Sequence, residues 1–360
     1  MKKVLVLVLA VLLMVTVFGC SAAPAEESNG TDTSTPSEAA GEAASDGTSE
    51  ENGADGKTLK FGYVTSDMSH EWYQNIVKGA QQRAEELGIE LVTADAAMDA
   101  GKEVTQLENM LTSGVDALLI TPVDAKSLVT VINAAKEQGV PVICESNVVE
   151  GATTTVGIDS VEGGRQAGKW LAEYATENNI DPKILVVGMP QNEDCRERVQ
   201  GFKEALDESG IQYEIAQEVD GQGEKETSLE VSQDALTAHP EINVIFGIND
   251  NATTGGMAAY KEAGLDESKL TAIGFGFEGV AGRTALLADG PYKAAVAMFP
   301  DFMGQRLVDT AYEVVNGGEV SERTWSGSTI ITLDNFSDYY TEENGEYITN
   351  FEAIEALIEE

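Results

Sequence analysis

Four short polar clusters carry the side chains able to do chemistry. His70-Glu71-Trp72-Tyr73 sets two aromatics beside an imidazole. Cys144-Glu145-Ser146-Asn147 stands directly behind the apolar run Val140-Pro141-Val142-Ile143. Asn192-Glu193-Asp194-Cys195-Arg196-Glu197-Arg198 opens a helical stretch, and Asn249-Asp250 follows Val244-Ile245-Phe246-Gly247. These types suit recognition of a polyhydroxylated ring. Aromatic faces stack on sugar C–H faces, a carboxylate such as Glu145 accepts from vicinal hydroxyls, and a guanidinium fork donates to hydroxyl pairs or a carboxylate. Trp72 and Tyr73 point about 100° apart on a helix, so one is expected in the core and one toward a ligand. Each cluster also has a plain structural reading. Arg196 can pair with Glu193 and Arg198 with Asp194 on the surface, and Asn249 can cap a helix.

Catalytic readings fare worse. The only histidines are His70 and His239, and His239 precedes Pro240 in a turn. No Gly-x-Ser-x-Gly elbow occurs, and neither Cys144 nor Cys195 has a histidine paired with it by sequence, so both read as free and partly buried thiols. Three cysteines exclude a disulfide scaffold and a four-cysteine zinc site. With no EF-hand loop either, neither metal nor cofactor is expected. Gly274-Phe275-Gly276-Phe277-Glu278-Gly279 is a literal GxGxxG behind a strand. A dinucleotide fingerprint belongs in the first unit of a fold, with an acid about 20 residues on. Here the motif comes late, the next acid is Asp289 in a turn, and Phe277 would crowd a pyrophosphate. An NAD-dependent oxidoreductase is therefore the weakest reading; no enzyme is expected.

The elements that must position these clusters form a repeating pattern. Short, continuous, β-branched runs predict strands at 59–64, 89–94, 117–120, 140–144, 184–188, 212–217, 244–248, 270–274 and 292–297. Helical spacing predicts helices over 70–87, 102–112, 125–138, 163–177, 197–209, 226–238, 253–263 and 302–315. Strand–helix alternation with strands buried on both faces means parallel, right-handed α/β winding. The pattern restarts after Asp159, giving two similar lobes. Ligands of open α/β sheets sit at the carboxyl ends of the strands, where all four polar clusters fall.

The chain has 360 residues and a net charge of −40. At about 150 residues per domain, that length fits two domains. Such acidity excludes unassisted binding to nucleic acid or an anionic membrane. Residues 1–20 read as a secretory signal: Met1-Lys2-Lys3, an apolar run over 4–18 too short to span a bilayer, then Gly19-Cys20. Residues 21–57 contain no aromatic and read as an acidic tether. Residues 58–360 still carry −34, so the acidity belongs to the globular surface.

Two resemblances follow. Val17-Phe18-Gly19-Cys20 resembles the lipobox of bacterial lipoproteins, which implies acylation (palmitate-type chains) of Cys20, an extracytoplasmic location and anchoring to the cell membrane by lipid alone. Phe61-Gly62-Tyr63-Val64, Trp72-Tyr73, Gly114-Val115-Asp116-Ala117-Leu118-Leu119-Ile120-Thr121-Pro122, Gly139-Val140-Pro141-Val142-Ile143, Arg196-Glu197-Arg198, and Phe246-Gly247-Ile248-Asn249-Asp250 resemble ribose-binding proteins in order and spacing, from about 59 to 318. That resemblance implies a type I substrate-binding protein of an ABC sugar importer. Its fold would be two doubly wound parallel-sheet lobes joined by a three-segment hinge near 159–161, 299–300 and 325–327. The lobes are expected at 58–160 plus 300–325 and at 161–299 plus 326–360. It places ligand contacts on His70, Trp72, Tyr73, Glu145, Ser146, Arg196 and Asn249. It also implies a monomer whose partners are a small sugar-like molecule and the permease. Gly276 stands where the family has an Asp, Met298 where it has a Gln, and no aromatic stands near Gln222 and Gly223. A pocket short of one carboxylate argues against ribose itself and for a deoxysugar or a larger or less polar ligand. The alternative within the same fold is a lipoprotein reporting its ligand to a sensor kinase or chemoreceptor.

Overall fold

The computed structural model describes residues 58–359, so the expectations for the signal segment, Cys20 and the linker 21–57 lie outside the described residues. The first half winds as β1 Lys60–Thr65, α1 Glu71–Glu86, β2 Glu90–Asp95, α2 Ala100–Thr112, β3 Ala117–Ile120, α3 Ala125–Glu137, β4 Val142–Glu145 and β5 Thr154–Gly157. The second repeats it with α4 Ser160–Asn178, β6 Lys183–Gly188, α5 Glu193–Ser209, β7 Glu214–Asp220, α6 Lys225–Ala238, β8 Val244–Gly247, α7 Asp250–Glu262, β9 Thr271–Gly276, α8 Val280–Leu287 and β10 Tyr292–Ala297. Then come α9 Pro300–Val315, β11 Arg323–Trp325 and β12 Thr329–Ile331. A C-terminal segment closes the chain: α10 Phe336–Tyr339, β13 Tyr340–Glu343, β14 Glu346–Thr349 and α11 Phe351–Glu359.

The strands form two six-stranded sheets of matching order, β2-β1-β3-β4-β5-β11 and β7-β6-β8-β9-β10-β12. Every pairing within them is parallel except β10 with β12. The chain crosses between sheets three times: from β5 into the second lobe, from β10 back to the first through α9, and from β11 to β12. Strands β3, β4, β8 and β9 are buried throughout, as continuous apolar runs between helix layers should be. Each fully buried Leu, Ile or Phe there stabilises by about 1.5–3 kcal/mol. The lobes also repeat a close helix contact. Gly79 of α1 lies against the Asp301 carbonyl of α9, and Gly201 of α5 against the Val161 carbonyl of α4; a Cβ at either would collide with backbone.

The edge strands β11 and β12 and helix α10 were not anticipated, nor were three further features. Strand β5 (Thr154-Thr155-Val156-Gly157) is short and half polar, giving little apolar signal. Helix α8 is a short helix with no side-chain cap. The hairpin β13–β14 lies in a stretch read only as completing the second lobe. Helices α5 and α7 begin earlier than their apolar periodicity indicates, because Asn192 and Asn249 cap them by accepting from Cys195 N and Ala252 N.

Candidate functional site

A small cavity of about 190 Å³ opens where the carboxyl ends of the two sheets face one another. It is below the roughly 300–1,000 Å³ of sites for drug-sized ligands, so its natural scale is a small molecule.

The first lobe supplies one wall. His70 caps α1, its Nδ1 accepting from Trp72 N at 3.2 Å, so in a neutral ring the proton sits on Nε2, which remains a donor. Trp72 and Tyr73 both line the cavity, and Trp72 packs on the apolar core as well, so the expected division of roles between the pair is not found. Burial, reinforced by the Glu145 charge, pushes the Tyr73 phenol up to about 12. Glu145 ends β4 and is buried, and Ser146 Oγ donates to its Oε1. Burial raises this carboxyl to about 7, against the lowering effect of that hydrogen bond. Ser146 itself is left-handed, at φ 53°, with its amide donating to Val156 O at 2.8 Å.

The second lobe supplies the more polar wall. Asn249 lines the cavity, but its amide is already engaged: Oδ1 caps α7 at 2.8 Å and Nδ2 donates to Gly223 O at 3.0 Å. Arg196 is a correction. It is exposed on the far side of α5, donates to Pro190 O at 2.8 Å, and lines a separate surface groove. The cleft guanidinium is Arg198. It donates to Ile248 O at 2.9 Å, lies 4.4 Å over the Phe275 ring, and leaves its Nε buried and unpartnered. Two helical steps turn a side chain by about 200°, so residues 196 and 198 cannot share a face. The buried stripe of α5, Cys195, Phe202, Ala205 and Leu206, runs on the side of Arg198 and carried the signal that could have found it. Asp194 and Asn192, read only as members of a polar run, also line the cavity. Burial raises the Asp194 carboxyl, opposed by Arg198.

Glu278 is the other residue that sequence reasoning missed. Gly276 adopts φ +96°, and a Cβ there would collide with the carboxyl of Glu278, which folds back over it. The space left by the absent family Asp is thus filled from two residues downstream, and the expectation of a pocket short of one carboxylate does not hold. Glu278 is only partly exposed, and burial, then the neighbouring Asp250 charge, raises it to about 8. Asp250 is buried, raised by burial to about 7, and accepts from Tyr292 Oη at 2.7 Å. The carbonyl of Glu278 accepts from Asn75 Nδ2 of the opposite lobe at 2.8 Å. Met298 completes this wall.

The glycine motif at 274–279 therefore encloses a carboxyl and a fully buried Phe277 rather than a phosphate cradle. Cys144 and Cys195 are free and buried. Among the described residues no group of three or more His, Cys, Asp or Glu could hold a metal ion.

Residues 61–319 match the family model described as a periplasmic binding protein domain. The chain belongs to the periplasmic binding proteins. Within that family it is of type I, with relatives among sugar importers. It is 28% identical over 276 residues to the ribose import binding protein of Bacillus subtilis, covering 75% of this chain and 86% of the relative. It is 29% identical over 263 residues to that of Escherichia coli, covering 72% and 86%. A solute-binding protein of an ABC transporter from Mycobacterium smegmatis, solved with bound glycerol, superposes with a TM-score of 0.67 at 27% identity over 80% of this chain and 98% of that one. A periplasmic solute-binding protein from Actinobacillus succinogenes, solved with D-allose, shares the fold at a TM-score of 0.71 and 22% identity, over 78% and 100%. These relatives are substrate-binding proteins, and this periplasmic binding protein is one too, not an enzyme.

Proposed function

We propose that this binding protein captures a monosaccharide between its lobes and delivers it to the permease of an ABC importer. The observation that carries the reading is the composition of one small cavity. An aromatic pair, Trp72 and Tyr73, shares one wall with the buried Glu145, and the half-buried Arg198 and Glu278 face them across the cavity. Trp72 stacks on the C–H face of the ring, the two carboxyls accept from hydroxyls, and the unpartnered Arg198 Nε donates. His70 Nε2 and the spare hydrogen of Asn249 are further donors at the rim, and Ser146 Oγ, whose proton goes to Glu145, is an acceptor there; Arg196 takes no part. With Glu278 in place the argument against ribose loses its first support, and pentoses and hexoses stand on equal terms.

Binding to both walls favours the closed arrangement of the lobes, and the permease reads the closed outline. We assign residues 58–160 with 300–325 to one lobe and 161–299 with 326–360 to the other. We further propose that a monomer is held at the outer face of the cell membrane by lipid on Cys20, with 21–57 as its tether. A thermal-shift screen of the mature protein against D-ribose, D-allose, L-arabinose, myo-inositol and glycerol tests the reading. A sugar at 100 times its dissociation constant adds about 2.7 kcal/mol of stability. A rise in Tm with one or two of these sugars is expected; no rise with any, at millimolar concentration, contradicts sugar capture.

A further inference from the structure

Two residues of the second-lobe wall, Glu278 and Met298, share an unusual setting. Each is next to a phenylalanine held in the left-handed region, Phe277 at φ +51° and Phe299 at φ +48°. A bulky side chain rarely adopts that conformation unless its surroundings hold it there. Here the surroundings are aromatic. Phe277 meets Phe336 at 6.3 Å and Tyr340 at 5.7 Å, between ring centroids. Phe299 meets Tyr339 at 5.8 Å and Tyr340 at 5.9 Å. Both phenylalanines and Tyr340 are buried. All the partner rings come from the C-terminal segment, past residue 319 where the family match ends. Phe351 of α11 adds a contact to Phe302 at 5.8 Å, beside the crossing from β10 to α9.

We propose that the C-terminal segment is a positioning element for the ligand cleft. Tyr340, with Tyr339 and Phe336, locks Phe277 and Phe299 and thereby holds Glu278 over Gly276 and Met298 at the wall. The proposal rests on the sugar-binding reading and names what sets the affinity of that same site. A cavity of about 420 Å³ lies behind the wall, bordered by Phe277, Glu278, Phe299 and Tyr340. Removing the Tyr340 ring frees both left-handed turns and widens that cavity beside Glu278, so its carboxyl is displaced and more fully wetted. The groups facing Glu278 are Asp250 of α7, Glu71 of α1 and Arg198 of α5. His70, Glu145 and Asp194 line the cleft side, and Lys78, Arg283, Asp301 and Glu346 the cavity side.

The test compares Tyr340→Ala with Tyr340→Phe, the milder Tyr339→Ala, and Leu107→Ala as a core variant in the other lobe. Affinity for D-ribose and D-allose is measured by calorimetry across pH, with the Glu278 carboxyl followed by NMR in the ligand-free protein. Tyr340→Ala is expected to lose at least tenfold in affinity, and Tyr339→Ala less. Both should shift the Glu278 titration to lower pH as water reaches it. Tyr340→Phe and Leu107→Ala should stay within twofold of wild type with the titration unmoved, whatever Leu107→Ala does to Tm. Wild-type affinity and an unmoved Glu278 titration in the folded tyrosine variants would overturn the proposal. So would an equal affinity loss in Leu107→Ala. If the wild type binds none of the compounds of the thermal-shift screen, the sugar reading falls. The ligand-free titration still decides this inference: a downward shift supports it and no shift overturns it.

Discussion

The two walls of the cleft are built from equivalent elements and carry different chemistry. In the first lobe the tips of β1 and β4 present an imidazole, an indole, a phenol and one carboxyl shielded by its own Ser146. In the second, the ends of β8 and β9 and the start of α5 present a guanidinium with an unused buried donor and two further carboxyls, Asp194 and Glu278. One wall offers a surface to lie on, the other directed groups to be held by. Stacking tolerates small displacements of a ring, whereas a buried donor or acceptor left unpaired costs about 1–3 kcal/mol. The second lobe should therefore set which ligand is bound, and the first should contribute affinity with less discrimination.

The largest expected effect tests the polar wall. Arg198→Ala should lower sugar affinity on the order of 100-fold, since it removes charge-assisted donors and the group paired with Ile248 O. Arg196→Ala, two residues away on the exposed face, should change the dissociation constant by less than about twofold, as for a surface substitution. Calorimetry on the two variants decides; equal losses would erase the distinction between the faces of α5.

Next comes the aromatic wall. Trp72→Ala should cost roughly tenfold in affinity, through lost ring stacking of about 0.5–1.5 kcal/mol plus burial, with Trp72→Phe recovering part of it. Relative affinities among sugars should be nearly unchanged in the Trp72 variants and scrambled in Glu278→Gln. Identical selectivity changes on both sides would break the comparison.

The smallest effect is a pH dependence, and its two parts run in opposite directions. Burial raises Glu145 and Asp250 to about 7 and Glu278 to about 8. Groups raised on folding contribute stability that is complete below their ordinary values and is lost progressively as pH rises through the folded ones, so Tm of the ligand-free protein should still be falling between pH 6 and 8 and level off above that. Sugar hydroxyls donate best to ionised carboxyls, so binding should release protons, and affinity should rise about three- to tenfold over the same window. Tm and calorimetry at matched pH values check both trends. Carboxyls held low by hydrogen bonds, such as Asp67 and Asp266, are ionised throughout this range and do not contribute.

How much of this was legible in the sequence follows from where each signal lies. The continuous apolar strands and the restart after Asp159 carried the two-lobed winding, because burial on both faces leaves an unambiguous run. The aromatic wall was legible because His70, Trp72 and Tyr73 are adjacent in the chain. Glu145 stood out at a strand tip for the same reason. Arg198 was missed because two arginines two residues apart look alike until the inward face of α5 is fixed by Cys195 and Phe202. Glu278 was missed because its carboxyl reaches back over Gly276, a tertiary event that no spacing rule reveals. The role of the C-terminal segment was hidden because Phe336, Tyr339 and Tyr340 act through Phe277 and Phe299, distant in sequence.

The chain contains three tryptophans, Trp72, Trp170 and Trp325, so a variant with Trp170 and Trp325 changed to Phe reports on the cleft alone. Titrating that variant with D-ribose or D-allose while following fluorescence tests the grip of both walls directly. A saturable change is expected, with a midpoint matching calorimetry, that disappears when Arg198→Ala is added from the opposite lobe. Calorimetric binding that leaves Trp72 emission flat, or a midpoint indifferent to Arg198, would contradict a sugar held between the two walls.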